Sequence, residues 1–328
     1  MLEQLSADLP TPEPDAGEHS ERLRALIEEE LLGAGGSIDF ARFMEMALYA
    51  PGLGYYVSGS QKFGSAGDFV TAPEISPLFS RCLARQVAQI LRAIDSHQVL
   101  EIGAGSGIMA ADMLLQLEQA GCLPTSYAIL ELSPDLRERQ RQTLAGAVPH
   151  LLPRVRWLDG LPEPGYCGVV LANEVLDAMP VRRFRITDGR ARPLHVTTTD
   201  KRFQWTLGPP DVALELALGR VQEQLGVQFG DGYESERCLA AAAWVASLAE
   251  LLARGVMILI DYGYTQREFY HPQRASGTLL CHYRHRVHAD PLVLPGLQDI
   301  TASVDFSAVA ASGLAHGLQV LGFTTQTW

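Results

Sequence analysis

The 328-residue chain is 47% apolar and 20% charged, which is enough to bury a full core, either as one large domain with insertions or as two small ones. Its 38 acidic against 26 basic residues leave a formal charge of −12, so the average surface repels phosphate backbones and anionic headgroups and speaks against nucleic acid or membrane lipid as partners. The five cysteines (Cys82, Cys122, Cys167, Cys238, Cys281) are odd in number and lie far apart, which argues against a disulfide framework or a structural zinc site and for a reducing compartment.

In chain order, Met1 to Ser20 is acidic and proline-rich. It resembles neither a secretory signal nor an arginine-rich transit peptide, and reads as the loose tail of a cytoplasmic protein. From Glu21 to Leu32, apolar Leu23, Leu26, Ile27 and Leu31 recur at helical spacing before the stop Gly33-Ala34-Gly35-Gly36. Ser37 stands as a candidate N-cap for a second helix with Phe40, Phe43, Met44 and Ala47 on one face, ended by Pro51-Gly52-Leu53-Gly54. The polar stretch from Tyr55 to Pro77 carries Phe69-Val70-Thr71 between Asp68 and Glu74; it is either a ligand-contacting loop or a surface connection.

Leu78 to Ile94 reads as a long amphipathic helix feeding the strand Gln98 to Ile102. Gly103-Ala104-Gly105-Ser106-Gly107 follows, then a helix from Ile108 to Gln119 and a strand from Tyr127 to Leu130 ending at Glu131. This is a βαβ unit with a glycine turn. Further strands are expected at Val155 to Trp157, Gly168 to Ala172 and Val256 to Ile260, so short apolar strands alternate with helices as in a parallel sheet covered on both faces. None of these runs approaches the ~20 residues that cross a bilayer. Phe184 to Thr187, Leu194 to Thr198 and Phe203 to Leu207, separated by Asp188-Gly189 and Asp200-Lys201, read as an antiparallel meander inside an insertion of about 183–250.

A glycine-rich turn lets backbone approach a nucleotide-bearing ligand, and the helix behind it offers free N–H groups. The spacing here is Gly-x-Gly-x-Gly with Glu101 ahead of it, not the Gly-x-Gly-x-x-Gly of dinucleotide folds, which disfavours an NAD-dependent oxidoreductase. Glu131, at a strand end, is placed to accept ribose hydroxyls; the alternative is an acid that complements the helix begun by Ser133-Pro134-Asp135. Beyond the fourth strand, Asn173-Glu174-Val175-Leu176-Asp177 stands where open parallel sheets bind ligands. A helical turn there would put Glu174 and Asp177 on one side, suited to a guanidinium, whereas a capped turn would use the same residues structurally. Cys281, His282, His285 and His288 cluster, but Arg284 and Arg286 are interleaved, so a contribution to a partner surface or acceptor pocket is favoured over a metal site. Asp261 either reaches the ligand crevice or ends a strand, and Asp305 is a candidate N-cap.

The segments Pro51–Tyr56, Gly67–Ser76, Asn173–Val181 and Gly296–Thr301 together resemble the MidA-like family of mitochondrial complex I assembly-factor methyltransferases and their bacterial relatives, over about Glu21 to the C-terminus. The resemblance implies an α/β, doubly wound, mostly parallel seven-stranded Rossmann-like methyltransferase sheet with an N-terminal helical region. It implies a tail over 1–20, helices and a cofactor/substrate loop over 21–95, and the core over 96–328. It further implies S-adenosyl-L-methionine as cofactor and a protein arginine as acceptor. Gly103, Gly105 and Gly107 would then hold the methionine part, with Glu101 beside them, and Glu131 the ribose. Thr71, Pro73, Glu74 and Asn173 would complete the cofactor site. Glu174 would hold or deprotonate the acceptor, with Asp177 and Asp68 as supporting acids. A non-catalytic cofactor-binding assembly factor is the alternative, and a homodimer is left open. Similar proteins continue past Gly322 to Trp328, so a shortened form or an incomplete sheet edge is expected.

Overall fold

The computed structural model describes residues 9–58 and 71–326. The chain forms two compact units, one of Met1–Ser58, Leu176–Trp244 and Tyr262–Ser312, the other of Gly59–Val175, Val245–Asp261 and Gly313–Trp328.

The second unit is built on parallel strands. Its helix α1 (Pro77–Ala93) leads to β1 (Gln98–Ile102), helix α2 (Ile108–Gln119), β2 (Ser126–Leu130) and helix α3 (Pro134–Ala147). Strands β3 (Val155–Leu158), β4 (Tyr166–Asn173) and β5 (Leu252–Ile260) complete it. The sheet order is β3-β2-β1-β4-β5, and every neighbouring pair is parallel. Val169, Val170, Leu171 and Ala172 of β4 are all buried, as expected of a strand covered on both faces. Ala84, Val87, Ala88 and Leu91 of α1 and Met109, Ala110, Met113, Leu114 and Leu117 of α2 join Val99, Tyr127, Ile129 and Val169 in one core. The helical spacing of these residues, i to i+3 and i+4, is what turns each helix's apolar stripe onto the sheet. Five strands stand in this sheet among the described residues, where the resemblance implied seven.

Order reverses between β1 and β4, which sit side by side while their connections run to opposite halves of the sheet. In open parallel sheets it is at such a switch point, beyond the carboxyl ends of the two strands, that ligands bind. Gly103 follows one of these ends and Asn173 closes the other.

The first unit is antiparallel. The meander comprises Arg182–Thr187, Arg190–Thr199 and Arg202–Leu207, with Asp188, Gly189, Asp200 and Lys201 all at positive φ, the tight turns that hairpins require. Glu234–Arg237 adds to its edge beside Arg182–Thr187, and Ile38–Asp39 pairs with His195 and Val196. This last pairing corrects one expectation. Just ahead of the paired residues, Ser37 places its hydroxyl 3.3 Å from His195 Nδ1, and the second helix starts at Phe40 with Asp39, not Ser37, accepting from the Ala41 N–H. The first helix begins at Pro14, seven residues ahead of its expected start, because proline at the first turn lacks the N–H that would go unpaired there. Phe184, Ile186, Leu214, Leu218, Phe229, Tyr233, Phe269 and Tyr270 form this unit's core.

Leu280–Tyr283 and Arg286–His288 form a hairpin in which Cys281 faces His288 and His282 faces Val287. Strand alternation therefore turns Cys281 and His288 to one face and His282 to the other, with His285 in the turn at φ 60°. Among the described residues no group of three or more His, Cys, Asp or Glu is placed to share an ion. No helix of the described residues is long and apolar enough to cross a membrane.

Candidate functional site

The turn between β1 and α2 is left-handed at all three glycines, with φ of 69° at Gly103, 52° at Gly105 and 82° at Gly107, a conformation that costs other residues roughly 1–2 kcal/mol each. Its ends are tied by Gly103 N–H to the Leu130 carbonyl at 2.9 Å and Gly107 N–H to the Ala104 carbonyl at 2.8 Å. A side chain at Gly103 would come within 2.9 Å of Val175 Cγ2, so the turn lies directly against the end of β4. Gly107 is the N-cap of α2 and lends that helix no side-chain cap, leaving first-turn N–H groups for an anion or a polar ligand.

Glu101 is 0% exposed and accepts from the Tyr127 hydroxyl at 2.5 Å through Oε2. Burial raises its carboxyl from the ordinary value to about 7; the Tyr127 hydrogen bond pulls the other way and the charge of Glu131 adds to the rise. Glu131, 7% exposed, accepts from Ser133 N–H at 3.0 Å on one oxygen and from Gln140 Nε2 at 3.1 Å on the other. Its carboxyl is also raised by burial, against the hydrogen bonds from Ser133 and Gln140. Both readings of Glu131 have a geometric counterpart: it reaches the start of α3 through Ser133, and it stands at the end of β2 beside the glycine turn.

On the far side of the turn, Asn173 ends β4 opposite Ile260. Glu174 follows at φ 51°, its N–H donating to the Ile260 carbonyl at 2.8 Å. Asp261 accepts from Val175 N–H at 3.1 Å through Oδ2, so it fastens the end of β4 rather than only closing its own strand. The expected helical turn from Glu174 to Asp177 is not formed. A left-handed Glu174 breaks helical geometry, and a turn closed by Met179 N–H on the Leu176 carbonyl at 3.2 Å takes its place. Asp177 belongs to the first unit. It is buried, and its backbone carbonyl accepts from Ala302 N–H at 2.9 Å. In the same unit the Tyr49 hydroxyl donates to the Ala178 carbonyl at 3.0 Å and the Tyr56 hydroxyl to buried Asp299 at 2.8 Å.

Thr71 precedes a short helix, Ala72–Ile75, that contains Pro73 and Glu74 and packs on α1 and α2. Asp68 lies outside the described residues. Four residues around the turn were not singled out from the sequence: Tyr127, Gln140, Thr143 and Trp157. Gln140 had a readable signal, since it falls between Leu136 and Leu144 on the buried stripe of α3, where a polar side chain needs a partner.

A family model described as "Putative S-adenosyl-L-methionine-dependent methyltransferase" matches residues 82–324. The crystal structure of a Burkholderia thailandensis protein bound to S-adenosyl-homocysteine is 48% identical, with a TM-score of 0.90 over 94% of this chain and 80% of that one. A native crystal structure from the same organism is also 48% identical, with a TM-score of 0.86 over 94% of this chain and 79% of that one. The chain belongs to this family of S-adenosyl-L-methionine-dependent methyltransferases, the MidA-like family that its motifs resemble, and S-adenosyl-L-methionine is the cofactor. "Protein arginine methyltransferase NDUFAF7 homolog, mitochondrial" of Drosophila melanogaster is 28% identical over 92% of this chain and 72% of its own length. The Mus musculus protein arginine methyltransferase NDUFAF7 is 31% identical over 83% of this chain, which spans 65% of that relative, just under two thirds.

The residues present fit that cofactor. Glu101 Oε1, Glu74 Oε2 and Asn173 Oδ1 are buried acceptor atoms without a hydrogen-bond partner among the described residues. Two of them are carboxylate oxygens, complementary to a ligand carrying a sulfonium and an ammonium. The left-handed turn adds a backbone surface free of Cβ atoms.

Proposed function

We propose that the protein transfers methyl groups from S-adenosyl-L-methionine to arginine side chains of a protein substrate, with Glu174 holding the guanidinium and taking its proton. The observation that carries this reading is the place of Glu174, a half-buried carboxylate at the end of β4, one residue before the Val175 side chain that borders Gly103. The relatives named protein arginine methyltransferases supply the acceptor class. When bound, S-adenosyl-L-methionine supplies a methyl group already activated on a sulfonium sulfur. The remaining work is to orient the acceptor nitrogen in line and to remove its proton as the new N–C bond forms.

In this reading Gly103, Gly105 and Gly107 hold the methionine part with Glu101 behind them, and Glu131 accepts the ribose hydroxyls. Asn173, Thr71, Pro73 and Glu74 complete the cofactor contacts. Asp177 and Asp68 are supporting acids. A cytoplasmic setting accords with five free cysteines.

The test is transfer of labelled methyl from S-adenosyl-L-methionine into a cell lysate, with the labelled residue identified by mass spectrometry, beside calorimetry with S-adenosyl-homocysteine. Glu174→Gln is expected to bind S-adenosyl-homocysteine within about twofold of the parent while transfer falls roughly 10²–10⁴-fold. Equal loss of binding and transfer would remove Glu174 from this role. Label on a residue other than arginine would overturn the arginine reading, and binding by the parent protein without any labelled product would leave the non-catalytic assembly factor.

A further inference from the structure

Helix α3 meets the glycine turn through a residue that carries no charge and does no chemistry. Gln140 is 0% exposed and uses its whole side-chain amide. Its Nε2 donates to the Gly105 carbonyl at 3.0 Å and to Glu131 Oε2 at 3.1 Å, and its Oε1 accepts from Trp157 Nε1 at 2.9 Å. The indole fixes the orientation: a tryptophan N–H can only donate, so it must face the amide oxygen, and both amide hydrogens are then turned to the turn carbonyl and the carboxylate. Rotating the amide by half a turn would set donor against donor and oxygen against oxygen.

Two neighbouring observations show that this contact defines the turn. Thr143, one helical turn further on, donates to the Ser106 carbonyl at 2.8 Å, so α3 holds two successive carbonyls of the glycine segment. A side chain at Gly107 would lie 3.1 Å from Gln140 Cα, so the third glycine is required by the closeness of α3 as well as by its own φ. Glu131 is fixed in plane, one oxygen on Ser133 N–H and the other on Gln140.

We propose that Gln140 is the positioning residue of the cofactor site: locked by Trp157, it sets the Glu131 carboxylate against the Gly105 backbone in the geometry that receives the ribose. The inference rests on the reading of Glu131 as the ribose acceptor. Gln140 itself touches no cofactor atom in this scheme. Its effect is to remove the freedom the carboxylate would otherwise lose on binding.

The experiment is calorimetry with two ligands, S-adenosyl-homocysteine and its analogue lacking the ribose 2′- and 3′-hydroxyls, on the parent protein and on Gln140→Leu, Trp157→Phe and Glu131→Gln. Gln140→Leu keeps the volume and removes the donors. It is expected to weaken S-adenosyl-homocysteine roughly 10- to 100-fold and the dideoxy analogue less than about threefold. Trp157→Phe frees the amide to rotate, with a smaller loss of the same ligand-selective kind, and decides the matter should Gln140→Leu fail to fold. Equal weakening of both ligands would show a general structural defect and overturn the proposal. If Glu131→Gln weakens S-adenosyl-homocysteine while the Gln140 and Trp157 variants bind as the parent does, positioning is refuted with the ribose reading intact. If Glu131→Gln binds as the parent does, it is the ribose reading that fails, and this inference with it.

Discussion

Two parts of the molecule drive the backbone into the left-handed region for opposite ends. In the meander, Asp188-Gly189 and Asp200-Lys201 take positive φ to reverse the chain between strands that then pair with each other. Each turn is held by the ladder it closes, with Gly189 N–H also donating to Asp231 at 2.9 Å and the Lys201 carbonyl accepting from Arg24. In the segment 103–107, positive φ at Gly103, Gly105 and Gly107 leads into no such ladder. The carbonyls of 105 and 106 are held from outside by Gln140 and Thr143, while α2 begins without a side-chain cap. A hairpin turn completes a structure; the glycine turn keeps one open for a ligand, and it needs a scaffold of side chains to do so.

The sharpest way to break this comparison is to substitute a glycine in each. Gly107→Ala meets both the left-handed φ and Gln140 Cα at 3.1 Å, and should cost roughly 2–5 kcal/mol of stability with near-complete loss of S-adenosyl-homocysteine binding. Gly189→Ala, at φ 71° with nothing within 4 Å of the added carbon, should cost only about 1–2 kcal/mol in denaturant unfolding and leave binding unchanged. Comparable losses of binding in the two variants would erase the distinction.

A smaller effect concerns the buried acids behind the glycine turn. With the Glu101 carboxyl raised from 4.5 to about 7, the folded protein holds a proton across that window which the unfolded chain releases. Stability without cofactor therefore falls as pH rises from 4.5 to about 7 and levels off above it. Thermal unfolding followed from about pH 5 to about pH 8 should show this decline, and Glu101→Gln should flatten it by several degrees. Part of the slope remains in the variant, because burial raises Glu131 and Glu236 in the same direction. An unchanged slope would mean that Glu101 does not titrate as described.

The parallel strands and the glycine turn were legible because each is contiguous in sequence: apolar runs bounded by glycine mark the strands, and β1 and α2 fall on the expected residues. The turns of the meander were legible for the same reason. What escaped the sequence depends on partners far along the chain. Asp39 replaces Ser37 as the cap because residues near 195, more than a hundred positions away, hold Ile38 and Asp39 in a sheet. Glu174 takes a left-handed φ because Ile260 and Asp261 fasten the end of β4, so the spacing of Glu174 and Asp177 does not express itself as a helical face. Gln140 was visible as a polar residue on an apolar stripe, but its three partners at 105, 131 and 157 could be known only from the packed helix. Seven strands were expected from resemblance alone, and the periodicity of this chain offered no independent support for the two beyond those in the sheet.

A carboxyl buried behind the glycine turn, its proton held up to about pH 7, makes the hydrogen ion a competitor for any cation bound there. A cationic occupant placed against Glu101 would drive that ion into the buffer, so the heat of loading would vary with the buffer's own enthalpy of ionisation. The number of ions released per molecule bound would then count the change in protonation of Glu101 together with its neighbour Glu131.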